Sequence, residues 1–288
     1  MNLIYLVFGK KNSYHYEAIF SICSFLAVSK SVERVCIYTD APEFYKHMGN
    51  KVTLCVVDEK QLEEWKGEYG FFWRVKIKAV EDAIQRYPGK ITVYLDSDTF
   101  AYKSTSSFEQ LLQSGNAFMH KQESLLSNSK SNTTTKMWHQ MKGRTFSGIT
   151  INDEHAMWNA GLIAIPVDKQ TEAINLSLQL CDNMCAANIT PRLIEQLAFS
   201  LSLQETYSLF SSDDFVGHYW GNKDGWDGLI SDYFAFSHLQ NLTIDDEIDN
   251  LINFDFSQIP LVRREQNIYK RLNRCMKNAF PIRDTFVK

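Results

Sequence analysis

The chain has 288 residues, of which 44% are hydrophobic and 22% are charged, and its net charge is −4. These values are typical of a globular protein with a substantial core, and the length allows one or two domains. The weak negative charge gives no sign of nucleic-acid binding, and no stretch approaches a transmembrane helix. The apolar start of the chain is too short for a signal peptide and has the wrong flanks, so we expect a first strand there.

Apolar segments in the first hundred residues predict alternating strands and helices. Pro88-Gly89 should stop the second of the helices. This order predicts an α/β fold with one Rossmann-like, mainly parallel sheet and flanking helices. The predicted strands are 3–8, 35–38, 52–57 and 91–95, and the predicted helices are 14–29 and 71–87.

The character of the chain changes in segment 121–153, which is rich in Ser, Asn, Thr and Lys and has few apolar residues. We expect disorder or a mobile lid there. Strands are predicted at 159–165 and 207–210, with two helices between them. The second helix is predicted to begin with Thr190 as N-cap and Pro191 at its first position.

The six cysteines favour a reducing cytoplasm. Cys181 and Cys185 are spaced i, i+4, but no histidine or second cysteine pair completes a zinc site. We expect all six to be small buried residues, namely Cys23, Cys36, Cys55, Cys181, Cys185 and Cys275.

The most informative stretch is Asp96-Ser97-Asp98, directly after the apolar strand predicted at 91–95. On an extended chain, residues i and i+2 share a face, so Asp96 and Asp98 should point together with Ser97 turned away. Two neighbouring carboxylates repel unless a cation lies between them, and a hard divalent cation is the usual partner. Ligands of open α/β sheets bind beyond the carboxyl ends of the strands, where this pair lies. The alternative is an acidic turn without a metal.

The ordered set of motifs over residues 2–226 resembles the retaining GT-A glycosyltransferases of family 8. This family includes bacterial lipopolysaccharide galactosyltransferases and glycogenin. Its D-x-D pair and a later histidine hold Mn²⁺, and Asp96, Asp98 and His218 match these three ligands. The resemblance therefore implies a GT-A fold and a Mn²⁺ cofactor, with Mg²⁺ as a less suitable alternative for a histidine ligand.

Two further motifs carry the resemblance. The family has a strand that opens N-[AS]-G, matched by Asn159-Ala160-Gly161, and an Asp-Gln pair near the reacting carbon, matched by Glu195-Gln196. The resemblance implies that Asn159, Glu195 and Gln196 act at the sugar and that Ala160 contacts the donor.

The family's histidine opens an H-x-x-G-x-x-K-x-W loop. Gly221 and Trp226 fall in register with this loop, but Asp224 occupies the lysine position and Lys223 lies one residue early. A lysine side chain is flexible enough to reach a phosphate from there. We therefore assign Gly221 and Lys223 to donor binding.

Other donor contacts are expected at strand ends and on one helix. Arg74 and Lys78 are spaced i, i+4 and could grip phosphate, or they could form a solvated basic stripe with Lys76. Thr39-Asp40 could recognise the nucleobase, and Phe8-Gly9 would let the base and ribose approach closely. Together with Ser97, the predicted donor-binding residues are Phe8, Gly9, Thr39, Asp40, Arg74, Lys78, Ser97, Ala160, Gly221 and Lys223.

The implied reaction moves a sugar from a nucleotide-diphosphate sugar, expected to be a UDP-sugar, to a saccharide or glycolipid acceptor. The resemblance implies retention of configuration, with Gln196 stabilising the oxocarbenium-like sugar, and a role in surface polysaccharide or lipopolysaccharide assembly. If Glu195 reached the same carbon, it could act as a nucleophile or as a base in an inverting reaction. No nucleic-acid partner is expected.

We expect residues 1–260 to form the transferase domain and residues 261–288 to form a basic amphipathic tail. The tail contains eight basic and two acidic residues, for a net charge of +6. Apolar residues lie between them at near-helical spacing, which favours peripheral binding to an anionic membrane surface. The alternative is a tail packed on the acidic segment 245–255.

Competing functions are a phosphatase of the haloacid dehalogenase type, a sugar nucleotidyltransferase and a non-catalytic sugar-binding module. The phosphatase motif normally ends the first strand and requires Thr or Val where Phe100 stands. The nucleotidyltransferase needs a glycine-rich phosphate loop, which residues 9–13 do not supply. A degenerate binding module would be expected to lose the carboxylates first.

Overall fold

A computed structural model describes residues 1–263 of the chain. Its strands are β1 (Asn2–Val7), β2 (Arg34–Thr39), β3 (Thr53–Val56), β4 (Thr92–Leu95), β5 (Thr99–Ala101), β6 (Ala117–Leu125), β7 (Thr145–Phe146), β8 (Ile149–Thr150), β9 (Ala156–Ile165), β10 (Leu209–Ser211) and β11 (Val216–His218). Its α-helices are α1 (Asn12–Val28), α2 (Glu59–Lys66), α3 (Arg74–Arg86), α4 (Ser106–Gln113), α5 (Asn132–Met141), α6 (Gln170–Ala186), α7 (Ile194–Thr206), α8 (Lys223–Gln240) and α9 (Ile244–Ile252).

A seven-stranded sheet in the order β10-β6-β9-β4-β1-β2-β3 forms the centre of the molecule. The adjacent pairs β4–β1, β1–β2 and β2–β3 are parallel, and so is the β6–β10 pair. Only β9 among the strands of this sheet runs against both of its neighbours, β4 and β6. The predicted α/β fold with a mainly parallel sheet is confirmed.

Both faces of the sheet are covered, which explains the continuous apolar runs of its strands. Along β1, Ile4 packs on one face with residues of α3, α6 and α7. Leu3 and Tyr5 pack on the opposite face with residues of α1, α8 and α9. This alternation of side chains produces two cores, separated by the sheet.

A second, two-stranded sheet determines where the histidine of the candidate site lies. Strand β5 begins one residue after the Asp96-Ser97-Asp98 turn, and it pairs antiparallel with β11. In this register Thr99 lies opposite His218. Two segments about 120 residues apart in sequence are thereby joined at the carboxyl end of β4.

The polar segment 121–153 is folded, so the expectation of disorder is wrong for this part of the chain. It contains the end of β6, all of α5 and the β7–β8 hairpin. The few apolar residues suffice because their spacing places them on one side, and Met137, Trp138, Met141 and Phe146 are buried. Movement of this segment as a lid stays a prediction.

The start of α7 also differs from expectation. A 3₁₀ turn occupies Pro191–Leu193, and the α-helix begins only at Ile194. Thr190 does not cap it, because the Thr190 hydroxyl donates instead to Gln140 Oε1 at 2.9 Å. This turn brings the following residues, Glu195 and Gln196, to the sheet edge.

The basic tail lies outside the described residues from position 264 onward, so its amphipathic helix stays a prediction. Its first part returns to the candidate site, where the Arg263 amide donates to Gly221 O at 3.1 Å. Within residues 1–263, no helix combines the length and apolarity that a membrane crossing requires.

Four of the five described cysteines are buried, and Cys185 is half-buried.

Candidate functional site

A cavity of about 560 Å³ opens at the carboxyl ends of β1 and β4. Its walls come from both halves of the chain, and aromatic side chains line its mouth. The charged and amide groups that reach it are Lys76, Asp96, Asp98, Arg192, Glu195, Gln196 and Lys223. The position beyond the strand ends is the one expected for the ligand of an open α/β sheet.

Asp96, Asp98 and His218 converge at this cavity. One ligand atom from each lies within 4.8 Å of the others, so a single ion could contact all three. Asp98 and His218 are buried, whereas Asp96 is partly exposed. The predicted convergence is confirmed, although the backbone forms a turn at Ser97 and Asp98 instead of an extended segment.

The ligand atoms of Asp96, Asp98 and His218 suit a divalent cation. The Gly161 amide donates to Asn159 Oδ1 at 3.0 Å, which identifies that atom as an oxygen acceptor. His218 Nδ1 lies 2.9 Å from the same oxygen, so Nδ1 carries the proton in the neutral ring. The lone pair of Nε2 then faces Asp98 Oδ1 at 3.2 Å. Nε2 and Oδ1 repel each other at this distance unless a proton or a cation lies between them. A metal ion bound to Nε2 of a histidine that is oriented through its Nδ1 would meet this requirement.

Gly161 is required by the approach of the histidine ring. A Cβ atom at this position would lie 2.3 Å from His218 Cε1 and Nδ1. The Asp96 amide also donates to Gly161 O at 2.9 Å, which ties the acidic turn to β9. The N-A-G motif therefore has a local physical reason in this chain: it positions both His218 and Asp96. A direct contact of Asn159 with a sugar stays a prediction.

Lys76 is the site residue that the sequence argument missed. It is buried, and its Nζ lies 3.1 Å from Asp96 Oδ1 and 2.9 Å from Glu195 Oε1. The ammonium also lies over the ring of Tyr94, 4.9 Å from its centroid. Burial alone lowers the pKa of Lys76, but Asp96 and Glu195 outweigh it and hold that pKa well above its usual value. We call Asp96, Lys76 and Glu195 the Lys76 triad.

A second lysine makes the same kind of bridge on the other carboxylate. Lys223 Nζ lies 3.1 Å from Asp98 Oδ2 and 3.2 Å from Glu17 Oε2. Burial alone would lower the pKa of Lys223, but Asp98 and Glu17 outweigh this effect and hold that pKa above its usual value. Burial alone would raise the pKa of Asp98, but His218 and Lys223 hold it below its usual value. We call Asp98, Lys223 and Glu17 the Lys223 triad.

Glu195 and Gln196 lie side by side at the start of α7, and both are buried. The Ala160 amide donates weakly to Gln196 Oε1 at 3.5 Å, and Gln196 Nε2 donates to Glu123 Oε2 at 3.4 Å. These long contacts leave the amide available to a ligand in the cavity. Glu195, by contrast, is held by Lys76.

Two of the predicted phosphate-binding residues do not line the cavity. The guanidinium of Arg74 is occupied by both carboxylate oxygens of Asp182 and by the Trp65 carbonyl. Lys78 pairs with Glu81 on its own helix. Lys76 lies between them in sequence but points to the opposite side of α3, because successive helical residues are about 100° apart. Lys76 lines this cavity in place of Arg74 and Lys78, and a contact of those two residues with a phosphate stays a prediction.

The residues predicted to bind the nucleotide at the ends of β1 and β2 lie there, but only some of them reach the cavity. Phe8 lines the cavity, and the Gly9 amide donates to Asp40 Oδ1 at 2.9 Å, which joins the ends of β1 and β2. Thr39 is fully buried, and its hydroxyl accepts from the Ala41 amide. Neither Thr39 nor Asp40 lines the cavity.

On the other side of the site, Gly221 borders a second cavity of about 310 Å³, which Lys223 shares with the first. Ser97 lines the first cavity, but its hydroxyl donates to Glu17 Oε2 at 2.8 Å, away from the acidic pair, as predicted. Lys223 is therefore the link between the two cavities.

Comparison with known proteins establishes the fold. No protein-family model and no curated protein sequence match the chain. Among solved structures, the galactosyltransferase LgtC with donor and acceptor sugar analogues matches at 11% identity over 81% of this chain and 94% of its own, with a TM-score of 0.51. An active-site mutant of LgtC gives 0.52 over the same shares.

Mouse xyloside xylosyltransferase 1 matches at 10% identity over 73% of this chain and 85% of its own, with a TM-score of 0.45. That score is too low to carry an argument. The chain has the GT-A fold of LgtC.

Proposed function

We propose that this protein is a metal-dependent glycosyltransferase that moves a sugar from a nucleotide-diphosphate sugar to a saccharide acceptor. The observation that carries the proposal is the convergence of Asp96, Asp98 and His218 beside Glu195 and Gln196 in one cavity. The pairing of β5 with β11 builds this constellation from distant segments of a GT-A fold. The solved relative LgtC was captured with donor and acceptor sugar analogues, which supports the same class of ligands here.

Asp96, Asp98 and His218 would hold Mn²⁺, or Mg²⁺ as a less suitable ion. The bound cation would supply positive charge to the diphosphate leaving group. The chain adds two ammonium groups of its own, Lys76 and Lys223, on either side of the acidic pair. These charges would stabilise a diphosphate because they are already in the cavity and partly shielded from water.

Gln196 is the residue that we assign to the reacting sugar. Its amide faces the cavity and has only long hydrogen bonds, whereas Glu195 is neutralised by Lys76. Because the Lys76 ammonium already holds a Glu195 oxygen, this carboxylate is less available to attack the sugar. The arrangement therefore supports retention by front-face attack of the acceptor hydroxyl, without a covalent intermediate on Glu195.

The donor is proposed to be a UDP-sugar and the acceptor a saccharide or a glycolipid of a cell-surface polysaccharide or lipopolysaccharide. The aromatic mouth of the cavity, with Tyr14, Phe72 and Trp73 exposed, supports binding of rings. Peripheral attachment of a cytoplasmic enzyme through residues 261–288 would bring the site to a lipid-linked acceptor.

The test is a thermal-shift screen of nucleoside diphosphates with and without Mn²⁺, followed by a transfer assay with the matching sugar donors. Selective stabilisation by one diphosphate in the presence of Mn²⁺ would identify the base. A phosphatase would instead release inorganic phosphate from phosphate esters. A non-catalytic sugar-binding module would bind saccharides without releasing nucleotide from any donor.

A further inference from the structure

Glu17 is a buried carboxylate in helix α1, and neither the sequence motifs nor the proposed ligand set includes it. Although glutamate is a charged residue, only 1% of the Glu17 side chain is exposed. Carboxylates are rarely buried to this degree without a partner. One of its oxygens, Oε2, accepts from the Ser97 hydroxyl at 2.8 Å and from Lys223 Nζ at 3.2 Å.

The second oxygen of Glu17 has no partner among the described residues. Oε1 is buried and makes no hydrogen bond, and two neighbouring groups, Tyr219 Oη and Asp227 Oδ1, are in the same condition. A buried acceptor without a donor is costly. Glu17 therefore has unused capacity to accept from an ammonium group, which carries three N–H donors.

Lys223 is the group that could use this capacity. In the structure it divides its contacts between Asp98 and Glu17. A divalent cation bound to Asp98 would lie close to this ammonium, and two positive charges on one carboxylate repel. The lysine would have to leave Asp98, and its flexible four-carbon stem allows a short movement. Without a second carboxylate nearby, that movement would leave the ammonium unpaired.

We propose that Glu17 is a positioning residue that draws Lys223 away from Asp98 when a divalent cation binds there. In the metal-free protein, Lys223 occupies Asp98 and opposes metal binding. Glu17 supplies the alternative partner, so that the ammonium stays in the cavity, where it can meet an anionic ligand. This inference rests on the proposed metal site, but it predicts a specific coupling between two residues that are not ligands of the metal.

The competing explanations are a purely structural role and a direct electrostatic role. Glu17 could serve only to fix the turn through Ser97, or its negative charge could attract the cation directly. A structural role would leave metal affinity unchanged in a folded variant. A direct electrostatic role would change metal affinity by the same factor whether or not Lys223 is present, because the two effects would be additive.

The experiment is a double-mutant cycle with Mn²⁺ as the probe. Free Mn²⁺ is measured by electron paramagnetic resonance at pH 8, with the full-length chain and no nucleotide. The four proteins are the wild type, Glu17→Gln, Lys223→Met and the double variant. Glu247→Gln serves as the matched control, because Glu247 is also a buried glutamate with one unpartnered oxygen, but it lies on α9.

We expect Glu17→Gln to weaken Mn²⁺ binding about tenfold, because Lys223 then has only Asp98 to hold. Lys223→Met should bind Mn²⁺ more tightly than the wild type. In the Lys223→Met background, the effect of Glu17→Gln should shrink to within about twofold. Glu17→Asp, which keeps the charge, should recover part of the wild-type affinity, and Glu247→Gln should match the wild type.

Equal losses in both backgrounds would show a direct electrostatic role and overturn the inference. An unchanged Mn²⁺ affinity in folded Glu17→Gln, or a failure of Lys223→Met to tighten binding, would overturn it as well. If Glu17→Gln does not fold, Glu17→Met, which also removes the carboxylate, replaces it in the cycle under the same criteria. Absence of Mn²⁺ binding by the wild type would instead refute the metal site of the proposed function, which separates the two failures.

Discussion

The Lys76 triad and the Lys223 triad are built alike but differ in exposure. Each lysine joins one carboxylate of the acidic turn to a buried glutamate. The side chain of Lys76 is 7% exposed, whereas that of Lys223 is 40% exposed. A fully enclosed ammonium between two carboxylates acts as a fixed structural charge, and a half-exposed one has room to move. The comparison separates a permanent part of the site from an adjustable one.

The largest expected effect is on catalysis, at the carboxylate that contacts both His218 and Lys223. Asp98→Ala should lower sugar transfer by about a hundredfold to a thousandfold or more, because the diphosphate loses its cation and the cation loses a ligand. Transfer would be measured as nucleotide release with Mn²⁺ and an acceptor. Asp249→Ala, on the exposed face of α9, is the matched control and should keep full activity. Transfer at the wild-type rate by folded Asp98→Ala would remove Asp98 from the site.

Stability should distinguish the two lysines directly. Lys76→Met leaves Asp96 and Glu195 facing each other without a cation, and loss of one partner from a buried ion pair costs about 3–5 kcal/mol of unfolding free energy. The effect of Lys223→Met should be smaller, because water reaches this lysine and because Ser97 and His218 still contact the Glu17 and Asp98 carboxylates. Urea denaturation of the two variants with a chelator present measures the difference. Equal losses would show that exposure does not separate the triads.

A middle-sized effect is expected at the residue that orients the histidine. Asn159→Ala removes the acceptor of His218 Nδ1–H, so the ring is free to rotate and its Nε2 is no longer aimed at the acidic pair. Loss of such a supporting partner lowers metal affinity by about 10–100-fold. Mn²⁺ titration would measure it, with the exposed Asn183→Ala as control. If affinity is retained, another group orients the ring.

The smallest effect is a change of stability with pH. Burial raises the pKa of Glu17 from 4.5 to about 7, with Lys223 and Ser97 opposing the rise. Between these two pH values the folded protein keeps a proton that the unfolded chain has released, so this group makes stability fall as pH rises. Glu17→Gln lacks this component. As pH rises from 5 to 8, the melting temperature of Glu17→Gln should therefore increase by about a few degrees relative to that of the wild type. A constant difference between the two proteins would contradict the raised pKa.

Most of the fold was accessible from sequence because the strands are short apolar runs bounded by clear turn signals. The acidic pair was accessible for the same reason, since it ends such a run. The histidine required the family resemblance, because nothing local to residue 218 reveals that β11 pairs with β5.

The errors have physical causes. Three basic residues on one helix, Arg74, Lys76 and Lys78, suggest a solvent-exposed stripe, so the sequence does not single out Lys76. Only the packing of α3 shows which of the three faces the sheet edge. Glu17 gave no signal, since a single glutamate within an apolar helix is typical of an exposed position. The composition of segment 121–153 favours disorder or a mobile lid, but the spacing of its few apolar residues places them on one side and lets the segment fold.

The central claim is that Asp96, Asp98 and His218 hold a divalent cation that binds a nucleotide diphosphate. The most direct measurement is the affinity of the wild type and His218→Ala for UDP, by calorimetry with and without Mn²⁺. We expect Mn²⁺ to tighten UDP binding in the wild type, and we expect His218→Ala to lose both Mn²⁺ binding and this enhancement together. Mn²⁺-dependent binding of UDP that is unchanged in folded His218→Ala would contradict the account.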